Sequence, residues 1–168
     1  MIRIGIGHDT HRLEPGGPLI LGGVSIDHDR HAVGHSDADV LLHAITDALL
    51  GASNLGDIGE MFPNTDESNR NRCSREMLSL AFAKVKEAGF SIMNLDCIVF
   101  AQRPKISPFR DVIRKSIAET LELDSALVGL KGKTGEGVDS VGNELAIQAQ
   151  CVALIQASSI PGNGTVSD

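Results

Sequence analysis

Residues 36–52 constrain the fold more than any other part of the chain. Their apolar side chains recur every three or four residues, which predicts an amphipathic helix that runs to about Gly51. Asp39, His43 and Asp47 follow at four-residue intervals, so they should lie along one polar side of that helix. The elements predicted on either side of this helix indicate the fold class.

Strands and helices are predicted in mixed order along the rest of the chain. Alternating apolar positions predict strands, and helical spacing that ends at a glycine or proline predicts helices. The predicted strands are 1–7, 19–26, 92–101, 127–133 and, with a helix as the alternative, 144–155; the other predicted helices are 74–88 and 108–123. This order predicts an α+β fold, one mixed sheet covered by helices on one face. We expect one catalytic domain over residues 1–157, a long polar loop at 54–71, and a disordered tail at 158–168.

Composition excludes several classes of function. The chain has 168 residues, of which 42% are hydrophobic, so it can bury a substantial core. A net charge of −7 and the absence of Trp and Tyr disfavour binding to nucleic acid or anionic lipid. The sequence has neither a long apolar run nor a signal or transit peptide pattern, so we expect a cytoplasmic protein with no membrane partner. Cys73, Cys97 and Cys151 form no C-x-x-C pair, which predicts buried, reduced thiols.

All six histidines lie within the first 43 residues. Asp9 and His11 are two residues apart at the end of the first predicted strand, so their side chains point to the same face. His43, on the polar side of the helix, is the best candidate for a third metal ligand. Two histidines and one carboxylate leave a fourth tetrahedral position open, as in a catalytic zinc site. Asp39 and Asp47, one turn either side of His43, are predicted to orient its second ring nitrogen.

Each of these residues also has a simpler interpretation. A D-x-H sequence is often a turn with a surface histidine, and His43 taken alone is typical of an exposed polar residue. The three together, within a histidine-rich segment, favour a metal site. His8, His28 and His31 have no predicted role beyond that of exposed polar residues.

His35 lies just before the predicted helix. Ser36 or Asp37 is expected to cap that helix. His35 is then a candidate donor to an anionic group near the helix N-terminus.

Two further loops carry residues suited to a nucleotide. The segment KGKTGEG at 131–137 combines glycines, which let backbone approach a phosphate, with the Thr134 hydroxyl and with Glu136, a candidate Mg²⁺ ligand. It lacks the P-loop spacing, and a flexible turn is the alternative. Residues 101–107 are candidates to present backbone groups to a base, or they simply connect a strand to a helix.

Five stretches match one family pattern in order and in separation. They are GHDTH at 7–11, HSDADVLLHAITDALLG at 35–51, GDIG with FPNTD at 56–66, AQRPK at 101–105, and KGKTGE at 131–136. Together they resemble the 2-C-methyl-D-erythritol 2,4-cyclodiphosphate synthases, enzymes of the non-mevalonate isoprenoid pathway. The resemblance covers residues 1 to about 156.

This resemblance implies an activity and an assembly. It implies a ferredoxin-like topology and a homotrimer with active sites between adjacent subunits. The implied lyase converts 4-diphosphocytidyl-2-C-methyl-D-erythritol 2-phosphate to the cyclic diphosphate and CMP, by attack of the 2-phosphate on the β-phosphorus. A phosphate oxygen is already anionic at neutral pH, so positioning and charge neutralisation by Zn²⁺ and by Mg²⁺ or Mn²⁺ are the main tasks. A zinc phosphoesterase and a non-catalytic nucleotide-binding trimer are the alternatives.

The resemblance also implies roles for individual residues. Zinc would be held by Asp9, His11 and His43 and Mg²⁺ by Glu136, while His35 and Thr134 would stabilise the transition state. Asp57 and Gly59 would hold the ribose, 62–66 the methylerythritol end, and 101–107 with Gly132 the cytosine. The complete set of implied substrate contacts is Asp9, Thr10, His11, His35, Ser36, Asp57, Ile58, Gly59, Phe62, Pro63, Asn64, Thr65, Asp66, Ala101, Gln102, Arg103, Pro104, Lys105, Ile106, Ser107, Gly132, Lys133, Thr134, Gly135 and Glu136.

The chain departs from the family pattern in three places. Asn64 stands where the family usually has Asp; it can accept a hydrogen bond but brings no charge. The segment 131–136 replaces the usual K-A-T-T-T-E and adds the cation of Lys133. The segment 139–144 replaces part of the usual G-F-T-G-R-G-E-G, and the Phe and Arg that line the trimer's central cavity in relatives are missing. We therefore do not carry an isoprenoid diphosphate ligand over from the family to that cavity.

Overall fold

Strand and helix boundaries in the computed structural model, which describes residues 1–63 and 65–158, follow the apolar periods over most of the chain. The strands are β1 (Ile2–Pro15), β2 (Leu19–Leu21), β3 (Val24–Ile26), β4 (Arg30–Val33), β5 (Phe90–Phe100), β6 (Val128–Lys133) and β7 (Ala146–Ala157). The helices are α1 (Val40–Ser53), α2 (Ile58–Met61), α3 (Ser74–Glu87) and α4 (Arg110–Thr120). Among the described residues, none of the helices has the length and apolarity needed to cross a membrane.

Five of the strands form one mixed sheet in the order β4-β1-β7-β5-β6. β5 and β6 run parallel, and the other neighbours run antiparallel. β7, for which the sequence left a helix as the alternative, is the central strand, and its alternate residues are buried against the helices. The predicted α+β fold with a mixed sheet is confirmed, while the ferredoxin-like topology stays a prediction.

Helix α1 lies directly on β1 because two glycines of the strand face it. A Cβ on Gly5 or Gly7 would overlap backbone carbonyl oxygens of the helix. The apolar stripe of α1 is fully buried, with Leu41, Ile45 and Leu49 among its members. Full burial of a side chain of this size contributes about 1.5–3 kcal/mol, so this contact stabilises the centre of the core.

Among residues 1–63 and 65–158, no helix covers the opposite side of the sheet. Side chains alternate between the two faces of a strand, and the even-numbered residues of β1 point away from α1. Ile2, Ile4 and Ile6 are 62%, 70% and 68% exposed, and Val152 of β7 beside them is 41% exposed. We call the apolar surface formed by these four residues the uncovered face. A contiguous apolar patch of this kind is typical of an interaction surface.

Several predicted boundaries need correction. β1 continues to Pro15 rather than ending at residue 7, because its second half pairs with β7 and β4, which are distant in sequence. The predicted strand at 19–26 is a hairpin that turns at Gly22 and Gly23, which have φ values of 60° and 75°. The loop at 54–71 contains α2 and a turn of 3₁₀ helix, Glu67–Asn69.

The helix cap and one cysteine also differ from expectation. Asp39, rather than Ser36 or Asp37, caps α1, which ends at Ser53. Cys97 and Cys151 are buried as predicted, but Cys73 is exposed. Of the predicted tail, Ser158 donates its N–H to the Gly89 carbonyl oxygen at 2.7 Å, and residues 159–168 lie outside the described residues.

Candidate functional site

Three potential metal-ligating atoms converge where β1 meets α1. Asp9 Oδ2 lies 2.9 Å from His11 Nε2 and 2.9 Å from His43 Nδ1, and the two ring nitrogens are 3.1 Å apart. The close approach at Gly7 brings α1 near enough for His43 to reach the two β1 side chains. Around a tetrahedral zinc ion with ligands at about 2.0–2.1 Å, neighbouring donor atoms lie about 3.3 Å apart. The three atoms are therefore spaced like one face of such a tetrahedron.

The hydrogen bonds on the far side of each ring leave the nitrogens that face Asp9, His11 Nε2 and His43 Nδ1, without a proton in the neutral imidazole. His11 Nδ1 lies 3.0 Å from the Val33 carbonyl oxygen, so it donates there and leaves the Nε2 lone pair facing Asp9. His43 Nε2 lies 2.9 Å from Ser74 Oγ, and the Ser74 hydroxyl itself donates to Asp37. We assign the proton of His43 to Nε2 on this network. Two lone pairs and one carboxylate oxygen then face a single point, a donor set that fits a divalent cation.

Electrostatics keep the carboxylate of this cluster ionised. Burial raises the pKa of Asp9, but His11 and His43 outweigh it when the nitrogens that face Asp9 are protonated, and they then hold the pKa well below its usual range. Burial lowers the pKa of His11, and the contact with Asp9 outweighs that effect and raises the pKa. Asp9 is thus in the deprotonated form that metal coordination requires.

The two carboxylates predicted to orient His43 have other partners. Asp39 accepts hydrogen bonds from two N–H groups of the β2–β3 turn, at 2.9 and 2.6 Å, and from two N–H groups of the first turn of α1. Asp47 Oδ1 accepts the N–H of Ile58, at 2.8 Å. Burial raises the pKa of both carboxyls, and its effect exceeds the opposite effect of these hydrogen bonds. The prediction was wrong because the extended backbone at Asp39 turns its side chain back toward the helix start, and Ser74, 31 residues away, takes the place beside His43.

A cavity of about 360 Å³, the metal cavity, opens over this cluster. Predicted residues in its wall are Asp9, His11, His35, Ser36, His43, Ile58, Gly59 and Phe62. Gly34, Asn69 and Met77 also line it, although no sequence pattern predicted them. Met77 lies one turn after Ser74 on α3, so recognition of Ser74 would have pointed to it. A second cavity of about 330 Å³ shares His35 and Asn69 with the first and adds the predicted Asp66.

A separate cavity of about 240 Å³, the loop cavity, lies at the ends of β5 and β6. Its predicted residues are Ala101, Gln102, Lys105, Ile106, Ser107, Gly132, Lys133 and Thr134, and Arg110 joins them. Gly132 matters for its shape, because a Cβ there would lie 2.9 Å from the Ile106 Cβ.

The strand register places both cavities at the same end of the sheet. Asp9 pairs with Ala149, Ala149 with Val99, and Val99 with Gly132. This row crosses three strand intervals, so the metal cavity and the loop cavity are about 14 Å apart across the sheet.

Some predicted substrate contacts line none of these cavities. Thr10 belongs to the side of β1 that faces away from α1, and Asp57 caps α2 by accepting the Glu60 N–H at 2.8 Å. Thr134 Oγ1 donates to Glu136 Oε1 at 2.7 Å. This hydrogen bond holds Glu136, the candidate Mg²⁺ ligand, next to the loop cavity but not in its wall. The other predicted substrate contacts that line none of these cavities are Pro63, Thr65, Arg103, Pro104 and Gly135. Asn64 lies outside the described residues.

Comparison with known proteins identifies relatives over most of the chain. The sequence model of the YgbB family matches residues 2–156. A 2-C-methyl-D-erythritol 2,4-cyclodiphosphate synthase of Rhodopirellula baltica is 52% identical over 153 residues, covering 91% of this chain and 92% of the relative. One of Shouchella clausii is 53% identical over 156 residues, with 93% and 98% covered. A solved 2C-methyl-D-erythritol-2,4-cyclodiphosphate synthase in its CDP-bound form superposes with a TM-score of 0.85 at 39% identity, covering 92% of this chain and 100% of that one.

Proposed function

Because this chain belongs to the YgbB family, whose members include the 2-C-methyl-D-erythritol 2,4-cyclodiphosphate synthases, we propose that its metal cavity and loop cavity together perform that reaction. The enzyme is a lyase of isoprenoid biosynthesis. It converts 4-diphosphocytidyl-2-C-methyl-D-erythritol 2-phosphate to 2-C-methyl-D-erythritol 2,4-cyclodiphosphate and CMP. An oxygen of the 2-phosphate bonds to the β-phosphorus, and the bond from that phosphorus to the bridging oxygen breaks, so this oxygen leaves with CMP.

The convergence of Asp9, His11 and His43 carries this proposal. Their nitrogen and oxygen donors, with tetrahedral spacing and room for a fourth ligand in the cavity, favour Zn²⁺. A zinc ion bound there supplies charge neutralisation to a phosphate oxygen. The protein side chains hold that phosphate in line, and no side chain needs to act as a base, because the attacking oxygen is already anionic.

Two side chains are placed to stabilise the transferring group. His35 lines the metal cavity close to the N-terminal side of α1, where a ring N–H can donate to a phosphate oxygen. Thr134 lines the loop cavity, where the base and its phosphates are proposed to bind. Glu136, hydrogen-bonded to Thr134, is the proposed ligand of a Mg²⁺ or Mn²⁺ ion on the diphosphate.

We also propose that the protein acts as a cytoplasmic homotrimer. The uncovered face supplies an apolar contact surface, and both cavities lie at one end of the sheet that carries it. With the cavities of one chain about 14 Å apart, the neighbour's loop cavity is proposed to approach the metal cavity across the interface. The active site would then be shared between subunits.

One purified sample tests this function. Incubation with the cytidylyl substrate should release CMP and the cyclic diphosphate in equal amounts, measured by ³¹P NMR, together with a metal complement near one zinc per chain. Inorganic phosphate without a ring product would instead identify a zinc phosphoesterase. Binding without turnover would identify a non-catalytic nucleotide-binding protein.

A further inference from the structure

Arg103 belongs to the loop expected around cytosine, yet its guanidinium turns away from the loop cavity. Its Nε donates to Glu144 Oε1 at 2.8 Å, and its Nη2 donates to Glu144 Oε2 at 2.7 Å. Two parallel hydrogen bonds of this kind fix the orientation of both side chains as well as their separation. The loop is therefore tied to the segment just before β7.

Glu144 also contacts a second arginine, and Arg103 contacts a second carboxylate. Arg30 Nε of β4 lies 3.7 Å from its Oε2, and Asp29 Oδ2 lies 3.4 Å from Arg103 Nη2. The Glu144 side chain is 21% exposed, while that of Arg103 is 53% exposed. The hydrogen bonds from Arg103 lower the pKa of Glu144, so it is ionised at neutral pH.

The backbone at Glu144 is also unusual, with a φ of 58°. The left-handed region costs about 1 kcal/mol or more for a residue with a side chain, and it persists only where surrounding contacts enforce it. The N–H of Glu144 donates to the Val141 carbonyl oxygen at 3.0 Å, which holds this conformation. The strained residue is thus the one whose carboxylate makes the bidentate pair with Arg103.

Two residues close to Arg103 in sequence line the loop cavity. Gln102 precedes Arg103, Lys105 follows two residues after it, and both are in the wall. Gln102 Oε1 is buried and has no hydrogen-bond partner among the residues that the structure describes. A buried acceptor without a donor is expected to be satisfied by a ligand, and the exocyclic amino group of cytosine is a donor of that kind.

We infer that Glu144 is a positioning residue, which holds the loop 101–107 through Arg103 in the conformation that binds the nucleotide. The identity of the nucleotide rests on the proposed function, but the restraint on the loop does not. Since the pair touches neither the metal cluster nor Thr134, it acts on nucleotide binding and leaves the phosphoryl transfer step unchanged.

Glu144→Gln tests the inference, because it keeps the shape of the side chain and removes the charge. Loss of a partly exposed bidentate pair should raise the dissociation constant of CDP and the KM about fivefold, with kcat within about twofold of wild type. Glu144→Gly should give the same loss of affinity although it relieves the backbone strain. Glu122→Gln is the matched control, because Glu122 also has a positive φ, 55°, and an ion pair, with Lys86 at 3.1 Å. It should bind CDP as wild type does.

Two measurements separate the inference from the proposed function. Calorimetric titration with CDP gives the affinity, and hydrogen exchange of residues 101–107 without ligand gives the order of the loop. If wild type fails to bind CDP, the proposed function fails, and faster exchange in Glu144→Gln still supports the restraint. Unchanged exchange in 101–107, or a fall in kcat with no change in KM, overturns the inference.

Discussion

Replacing Ser74 with alanine should weaken metal binding although it removes no metal ligand. Ser74 is fully buried, its Oγ lies 2.9 Å from His43 Nε2, and its hydroxyl donates to Asp37. Without that hydroxyl, the Ser36 Oγ at 3.1 Å is the remaining neighbour of Nε2 among the described residues. The imidazole then loses one of the two contacts that keep Nδ1 turned toward Asp9.

The size of the loss follows from these contacts. Removal of the outer hydrogen-bond partner of a ligating histidine typically costs about 10- to 100-fold in metal affinity. Because Ser36 remains, we expect about a tenfold loss in Ser74→Ala, which corresponds to about 1.4 kcal/mol. The double variant Ser36→Ala/Ser74→Ala leaves a buried N–H without an acceptor, which costs about 1–3 kcal/mol, so its loss should approach a hundredfold.

Competition with a chromophoric chelator measures this affinity on metal-stripped protein. Circular dichroism of the same samples checks that the variants fold. Ser53→Ala is the matched control, because Ser53 is a buried serine on α1 that donates to the Leu49 carbonyl oxygen at 2.7 Å, away from the metal cluster. Equal zinc affinity in Ser74→Ala and wild type would refute the reasoning. An equal loss in Ser53→Ala would do so too, since it would point to a general loosening of the helix.

Three further outcomes are expected. His43→Ala should be purified without a stoichiometric metal, and a full zinc complement by elemental analysis would overturn the ligand assignment. Gly7→Ala should lower the free energy of unfolding by about 3 kcal/mol or more, because its Cβ would overlap a carbonyl oxygen of α1, whereas Gly51→Ala, with open space around the new Cβ, should raise it by about 0.5–1 kcal/mol. Similar urea midpoints for the two variants would contradict this. Ile6→Lys places a charge on the uncovered face and should yield monomers in sedimentation velocity; an unchanged trimer mass would exclude that face as the interface.

Local periodicity was enough to predict the parts of the site that lie within one element. Asp9 and His11 share a face because residues two apart on a strand do, and His43 lies on α1 as its spacing predicts. The structure brings the three together as expected. The alternation also determines the side of β1 on which Thr10 lies, away from the metal cavity, although the family resemblance assigned it to the substrate.

Contacts between distant segments could not be predicted in this way. Asp39 has the spacing of a polar helix residue, but the turn at Gly22 and Gly23 supplies N–H groups that engage its carboxylate. Ser74 starts α3, and no local pattern indicates that this helix end lies against His43. Such pairs depend on how whole elements pack, which the periodicity of a single segment does not encode.

The central position of β7 has a consequence for how this chain can vary. The row from Asp9 through Ala149 and Val99 to Gly132 sets the metal cluster and the loop cavity level with each other. One residue inserted into or deleted from β7 would shift its pairing with both β1 and β5 by about 3.3 Å beyond that point and send its side chains there to the opposite face. β7 therefore sets the register of both halves of the sheet, and its length is more tightly constrained than the identity of its side chains.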